Sequence, residues 1–218
     1  MQNFSAASRL TTVAIGGFTS NSGKTTVACE LLRAFPGWEA IKMSRGHYRS
    51  CGKDPRACCV SPLLGPEPTL RSGRDETYEP GKDTGRYWDA GAANVHWAIV
   101  TDKQVDKGIA LALARVRAPG VFVEGNSYLR HLDVDFMLMV ARAGEESKIK
   151  PTARRVLAKA SAFYLFGAEG DERAARERFD EWRARLDGPA ARVPVYTRAG
   201  LPELVARISA VHRAAVAA

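Results

Sequence analysis

Ten residues limit what this chain can fold into more than any others: Gly17-Phe-Thr-Ser-Asn21-Ser22-Gly23-Lys24-Thr25-Thr26. Before them, Thr11 to Ile15 is a short apolar, β-branched run, and after them Val27 to Leu32 carries apolar residues at helical spacing. Strand, glycine loop and helix in that order read as a phosphate-binding loop. The reason is local physics. Successive backbone N–H groups at a helix start converge on one point, where the helix dipole also favours negative charge. Gly17 and Gly23 let the backbone bend and approach the anion closely. Lys24 is then placed to bring an ammonium to the β- and γ-phosphates of GTP or ATP, and the Thr25 hydroxyl to hold the Mg²⁺ that bridges them. Asn21, Ser22 and Thr26 complete the expected nucleotide-binding set. Phe18 stands where the usual GxxxxGK[ST] pattern has its first glycine, and Gly17 lies one residue earlier. A glycine–serine turn that merely precedes a lysine is the competing reading.

The chain around this loop has 218 residues, a length that suits one domain, residues 1–218, burying about 70% of its unfolded surface. No apolar run reaches the length of a membrane span, and Met1-Gln-Asn-Phe-Ser lacks the regions of a signal peptide. A cytoplasmic protein without a membrane partner is expected. The net charge of +8 raises the question of a polyanionic partner. Many arginines, however, alternate with acids in stretches such as Asp171-Glu-Arg-Ala-Ala-Arg-Glu-Arg-Phe. A solvated helix face is therefore favoured over a nucleic-acid surface.

Strand and helix patterns alternate along the whole chain. Glu39 to Ser44, Val95 to Thr101, Gly120 to Glu124, Asp135 to Ala141, Ala162 to Phe166 and Val193 to Tyr196 read as further strands. Gln104 to Val116, Pro151 to Ala160, Asp171 to Leu186 and Leu201 onward read as helices, with Asp83 to Gly91 a shorter one. Several strands are apolar on both faces. The expectation is a three-layer α/β fold around a mainly parallel sheet. Between about Arg45 and Lys82 the pattern lapses into glycine, proline and charge, and a segment of that length is expected to serve as a lid or binding loop.

In such sheets ligands collect at the carboxyl ends of the strands. Glu124, which ends an apolar strand before Gly125, is a candidate for Mg²⁺ or its water, and Asp102 is a weaker one of the same kind. Lys82 and Arg86 fall one turn apart at a helix start and are expected to hold an anion, with Asp83 capping that helix or meeting Mg²⁺. A capped surface helix with an exposed ion pair is the alternative. His96, His131 and His212 are isolated and read as core or surface residues.

Four segments carry a family resemblance. The longer loop spacing resembles that of dethiobiotin synthetase and other SIMIBI P-loop proteins. Val123-Glu124-Gly125 is similar to the strand-end motif of that enzyme and of the MobB family, adaptors of molybdopterin-guanine dinucleotide biosynthesis. Pro80-Gly81-Lys82-Asp83-Thr84-Gly85-Arg86-Tyr87-Trp88-Asp89-Ala90-Gly91-Ala92 looks like the P-G-K-D-S-x-R-x-x-x-A-G-A stretch of the MobB family. Ile41-Lys42 resembles its second strand, which adds Lys42 to the candidate site. The resemblance lies within the first two-thirds of the chain. It implies a P-loop NTPase fold, Mg²⁺-dependent binding and slow hydrolysis of GTP or ATP, a cofactor-biosynthesis enzyme as partner, and a symmetric homodimer. No Asn-Lys-x-Asp guanine-reading segment is present.

After Lys42 the chain departs from the family, placing His47, Cys51, Cys58 and Cys59 in one loop. These are soft ligands of the kind that Zn²⁺ or an iron–sulfur cluster takes. Nearby Arg45, Arg49, Lys53 and Arg56 also favour thiolates, which suits a redox cysteine; ordinary loop cysteines are the other reading. Two rivals thus stand beside the NTP-binding adaptor. One is an ATP-dependent small-molecule kinase or ligase with the long loop as lid, the other a nucleotide-switched metallochaperone or redox sensor.

Overall fold

β1, Thr11–Gly17, is buried along its whole length, as a strand with neighbours on both edges and helices on both faces must be. It pairs in parallel with β5, Gly120–Glu124, and β6, Phe136–Arg142. The computed structural model describes residues 9–46 and 60–217. The other strands are β2 (Glu39–Arg45), β3 (Thr69–Ser72), β4 (Val95–Val100), β7 (Ala162–Phe166) and β8 (Val195–Tyr196). The described residues form an eight-stranded sheet in the order β3-β4-β2-β5-β1-β6-β7-β8. Its pairings are parallel except that of β3 with β4.

The helices are α1 (Lys24–Ala34), α2 (Arg74–Thr77), α3 (Asp83–Asp89), α4 (Val105–Leu113), α5 (Pro151–Arg154), α6 (Glu172–Arg183) and α7 (Leu201–Ala217). One face of the sheet packs Ile15 and Leu138 against Val27 and Leu31 of α1, Tyr87 of α3 and Ile208 of α7. The other packs Val123 and Phe163 against Ile109 of α4 and Phe179 of α6. This is the expected three-layer α/β fold. Each such side chain, fully removed from water, stabilises the fold by roughly 1.5–3 kcal/mol.

Three elements differ from the sequence pattern. Part of the stretch expected to lack structure is ordered: a 3₁₀ turn at Ser61–Leu63, β3 and α2 occupy it. β3 escapes detection because all four of its residues are only half-buried, so it lacks the alternation of a strand with one face in the core. The helix expected over Pro151 to Ala160 stops at Arg154 and resumes as a 3₁₀ turn at Leu157–Lys159. The α4 helix is also shorter than its apolar stripe, since the turns closed by Arg115 and Val116 bond to carbonyls three residues back.

At the amino end of the sheet, away from the phosphate loop, His96 has a core role. It is buried, with Nε2 2.6 Å from Glu39 Oε2 and Nδ1 2.8 Å from Ser72 Oγ. The other Glu39 oxygen accepts the backbone N–H groups of Arg117 and Ala118, each at 3.0 Å. One buried carboxylate therefore ties β2, β4 and the turn before β5, and through Ser72 the edge strand β3. Burial works to raise the Glu39 pKa, but the hydrogen bonds from His96 and the two N–H groups outweigh it and hold the carboxyl below its ordinary value. A folded-state pKa below the unfolded one stabilises the fold above the unfolded value, about 4.3, and the gain is lost as pH falls through the folded value. Urea midpoints of wild type and Glu39→Gln should therefore differ most above about pH 5 and converge in acid. Parallel midpoint curves across that range would remove Glu39 as the source.

Candidate functional site

Gly23 precedes α1 with φ +94°, and no side chain caps the helix. The first N–H groups of α1 are thus left for an external acceptor. A Cβ at Gly23 would lie 2.2 Å from Cγ of Phe166, so the loop can run under that ring only as glycine. The first turn of α1 carries no acid. Lys24 Nζ donates to the carbonyls of Thr19 and Ser20 at 2.9 and 3.3 Å, curled back over the loop. Burial lowers its pKa, and the Glu124 charge counters part of that shift.

The displaced glycine of the motif has a packing reason. Phe18 is buried, its ring 5.1 Å from Trp182 and about 6 Å from Phe163 and Phe179, which pins the loop to α6 and β7. Gly17 is the buried last residue of β1 and does not line the cavity beside the loop. Its N–H donates to Asn126 Oδ1 at 2.9 Å and its carbonyl accepts from Asn126 Nδ2 at 2.8 Å. Ser22 is also buried behind the loop, donating to Thr19 O at 3.2 Å. Lys150 donates to Ser20 Oγ, and Arg142 to the Asn21 carbonyl at 3.2 Å. With Lys24, they make the loop's surroundings cationic.

Facing the loop, the carboxyl ends of β2 and β5 and the start of α3 bring together four groups. Glu124 Oε2 accepts from the Thr25 hydroxyl at 2.8 Å and from the Tyr87 hydroxyl. Glu124 Oε1 meets Lys42 Nζ at 2.5 Å, and the same ammonium meets Asp83 Oδ2 at 2.6 Å. Burial opposes the charge of Lys42, but Glu124 and Asp83 outweigh it and hold its pKa above the ordinary value. Burial likewise works to raise Asp83, and Lys42 overcomes it and holds that carboxyl low. The Tyr87 phenol is pushed far up, first by burial and then by the adjacent Glu124 charge. It therefore stays a donor.

A cavity of about 530 Å³ joins these parts. Among the residues expected at the site, Asn21, Gly23, Lys24, Thr25, Thr26, Lys42, Asp83, Arg86 and Glu124 all line it. Hydroxyl and carboxylate oxygens of Thr25, Glu124 and Asp83 are hard donors of the kind that suits Mg²⁺, which usually takes one or two carboxylates and completes its shell with phosphate and water.

Other expectations are corrected. Asp83 does not cap α3: the N-cap residue is Lys82, without a side-chain cap bond, and the Asp83 carboxylate turns to Lys42 instead. Lys82 and Arg86, expected to share an anion, do not line the same cavity. Arg86 donates to Thr26 Oγ1 at 3.0 Å inside the cavity, whereas Lys82 has extended backbone, φ −80° and ψ 160°. Its ammonium thus leaves the helix face and lies 3.9 Å from Glu79. Asp102 is exposed and pairs with Arg45 at 3.0 Å, outside the cavity. His47, Cys51, Cys58 and Cys59 lie outside the described residues. Tyr87, Asn126 and Lys150 were not legible as site residues. Tyr87 carries a faint signal, four residues after Asp83 and so on the same face of α3.

No protein-family model matches the sequence, and no curated protein matches it. Solved structures do. HypB from Helicobacter pylori, in complex with nickel, is 14% identical with a TM-score of 0.60, over 95% of this chain and 89% of that one. LpxK from Aquifex aeolicus in complex with ATP is 15% identical with a TM-score of 0.51, over 86% of this chain and 53% of that one. A LAO/AO transport system kinase is 13% identical with a TM-score of 0.50, over 95% of this chain and 62% of that one. The chain spans little more than half the length of these last two. At such identities the similarity establishes the fold, the three-layer α/β architecture of P-loop NTPases.

Proposed function

We propose that the chain is a Mg²⁺-dependent P-loop protein that binds GTP or ATP and hydrolyses it slowly. One observation carries the reading. The uncapped start of α1, the Lys24 ammonium, the Thr25 hydroxyl and the Glu124 carboxylate converge on one cavity at the carboxyl edge of the sheet. On binding, Lys24 would leave the Thr19 and Ser20 carbonyls for the β- and γ-phosphates, while the N–H groups of α1 receive their oxygens. Thr25 and Glu124, with Asp83 beside them, would hold Mg²⁺, which when bound neutralises charge on the phosphates. Arg86 and Lys150 add positive charge at the rim.

Slow turnover follows from how the carboxylates are engaged. Glu124 is held by Thr25, Lys42 and Tyr87, and Asp83 by Lys42. A carboxylate so committed is a poor base for an attacking water. The Gly-Lys-Asp and Val-Glu-Gly segments support a MobB-like role in molybdopterin-guanine dinucleotide or a related cofactor pathway, working with a biosynthetic enzyme of that pathway. They support it by resemblance alone.

Calorimetry of the full chain with Mg²⁺ and GTP, ATP or their diphosphates tests the proposal. One triphosphate should bind at micromolar Kd or tighter, and Lys24→Ala should weaken it by roughly 100-fold, the effect of losing a buried charged partner of the phosphates. Equal binding by wild type and Lys24→Ala, or none by either, would overturn the proposal. The base preferred separates a GTP-dependent adaptor from an ATP-dependent enzyme.

A further inference from the structure

We propose that a second cavity, of about 560 Å³, binds a small planar anion beside the nucleotide site. Its volume falls within the roughly 300–1,000 Å³ range of small-molecule sites. The wall is built from the segment that carries β3 and α2, together with β2, β4 and the start of α3. Trp97 and Tyr78 give it aromatic faces, and Val60 and Leu63 aliphatic ones. The Trp97 indole N–H already donates to Ser44 Oγ at 2.8 Å. Its N–H is therefore committed, and the ring meets the cavity as an aromatic surface with the Arg71 guanidinium over it.

The charges of the wall point to the sign of the ligand. Lys42 is paired with Asp83 at 2.6 Å and Lys82 with Glu79 at 3.9 Å, and Glu76 accepts the Ser72 N–H at 2.8 Å. Arg71 lies with its guanidinium carbon 5.7 Å from the centre of the Trp97 ring. Among the described residues no carboxylate stands within ion-pair distance of it. A guanidinium fork beside an indole face, with no acid among the described residues at ion-pair distance, fits a carboxylate or phosphate carried on a flat ring.

The position of the cavity gives the site its meaning. Lys42 and Asp83 line both this space and the phosphate cavity, so the two meet at one ion pair. Here the inference rests on the nucleotide reading above: a ligand in either space acts on the pair that the other touches, and the two affinities are coupled reciprocally.

The test uses 2-naphthoate, a flat ring bearing one carboxylate, and its neutral analogue 2-naphthalenemethanol. Each is titrated into the ¹⁵N-labelled full chain while the Trp97 indole N–H resonance, assigned with Trp97→Phe, is followed. The structure assigns a saturable shift with 2-naphthoate, and affinity at least roughly tenfold weaker both for the neutral analogue and in Arg71→Ala. Excess Mg²⁺-nucleotide should change the 2-naphthoate affinity. An unmoved indole resonance, or equal affinity for the charged and neutral probes, would overturn the proposal, and the second comparison needs no variant. Arg71→Ala should keep wild-type nucleotide binding. If the nucleotide binds and 2-naphthoate does not, this inference alone falls; if 2-naphthoate binds and no nucleotide does, the nucleotide reading falls and the cavity stands.

Discussion

Gly23→Ala should lose roughly 2–5 kcal/mol of stability and nearly all triphosphate binding. Two separate costs meet at this residue. The φ of +94° is a conformation that costs an L-residue roughly 1–2 kcal/mol. The added methyl would also lie 2.2 Å from Phe166 Cγ and 2.5–2.6 Å from the two Cδ atoms, against the face of the ring. Overpacking of that kind costs roughly 1–3 kcal/mol. The ring has little freedom to move away, because it ends β7 and the Arg142 guanidinium lies over it at 5.7 Å. A double-mutant cycle separates the two costs. Phe166→Ala removes the clash and leaves the dihedral strain, so the double variant should be more stable than the sum of the single effects by roughly 1–3 kcal/mol. Binding should stay weak in the double variant, since strain at Gly23 would tilt the N–H groups proposed to receive phosphate. Urea unfolding and calorimetry on the four proteins decide the matter. Additive single effects would mean that the ring does not lie over the loop.

The parts of the fold that could be read from sequence are those whose neighbours in space are also neighbours in the chain. The phosphate loop is written in ten consecutive residues, and the apolar runs 13–15, 121–123 and 136–141 within β1, β5 and β6 announce a covered parallel sheet. The start of α6 was legible for the same reason: Asp171 caps it by accepting the Ala174 N–H at 3.0 Å. What escaped depends on distant partners. β3 exists because β4 offers it an edge, not because Thr-Leu-Arg-Ser has a strand pattern. Tyr87 looks like one more core aromatic until the fold brings Glu124, 37 positions away, to its hydroxyl. Asn126 reads as one more loop residue after Val-Glu-Gly, and only the β1–β5 pairing brings its amide to the N–H and carbonyl of Gly17. Lys42 did leave a trace, through the Ile41-Lys42 resemblance and as a charge between the apolar Ile41 and Met43. Such a residue needs a buried partner, but sequence does not say that there are two.

That lysine carries the second large expectation: Lys42→Met should be destabilised by roughly 3–5 kcal/mol in the presence of a chelator, and Mg²⁺ should restore much of the loss. The ammonium lies 2.5 Å from Glu124 and 2.6 Å from Asp83. Its side chain is 16% exposed and that of Glu124 only 3%, so little water screens that pair, whereas Asp83 is 43% exposed and solvent screens its share. Without the ammonium, two carboxylates face each other with the Thr25 and Tyr87 hydroxyls as the neutral donors left to Glu124. That is an uncompensated buried charge. The same vacated space is lined by hard oxygens, and a free divalent cation at 100 times its Kd would return about 2.7 kcal/mol. Urea midpoints in EDTA and in excess MgCl₂, for wild type and Lys42→Met, give the answer. Mg²⁺ should raise the variant's midpoint far more than that of the wild type; an equal rise in both would mean that Lys42 does not compete for the cation's place. If the competition is real, the wild-type site has a built-in order of binding. Free Mg²⁺ would face a tethered positive charge between Glu124 and Asp83, whereas Mg²⁺ arriving with a triphosphate would bring the negative charge that lets lysine and metal share the site.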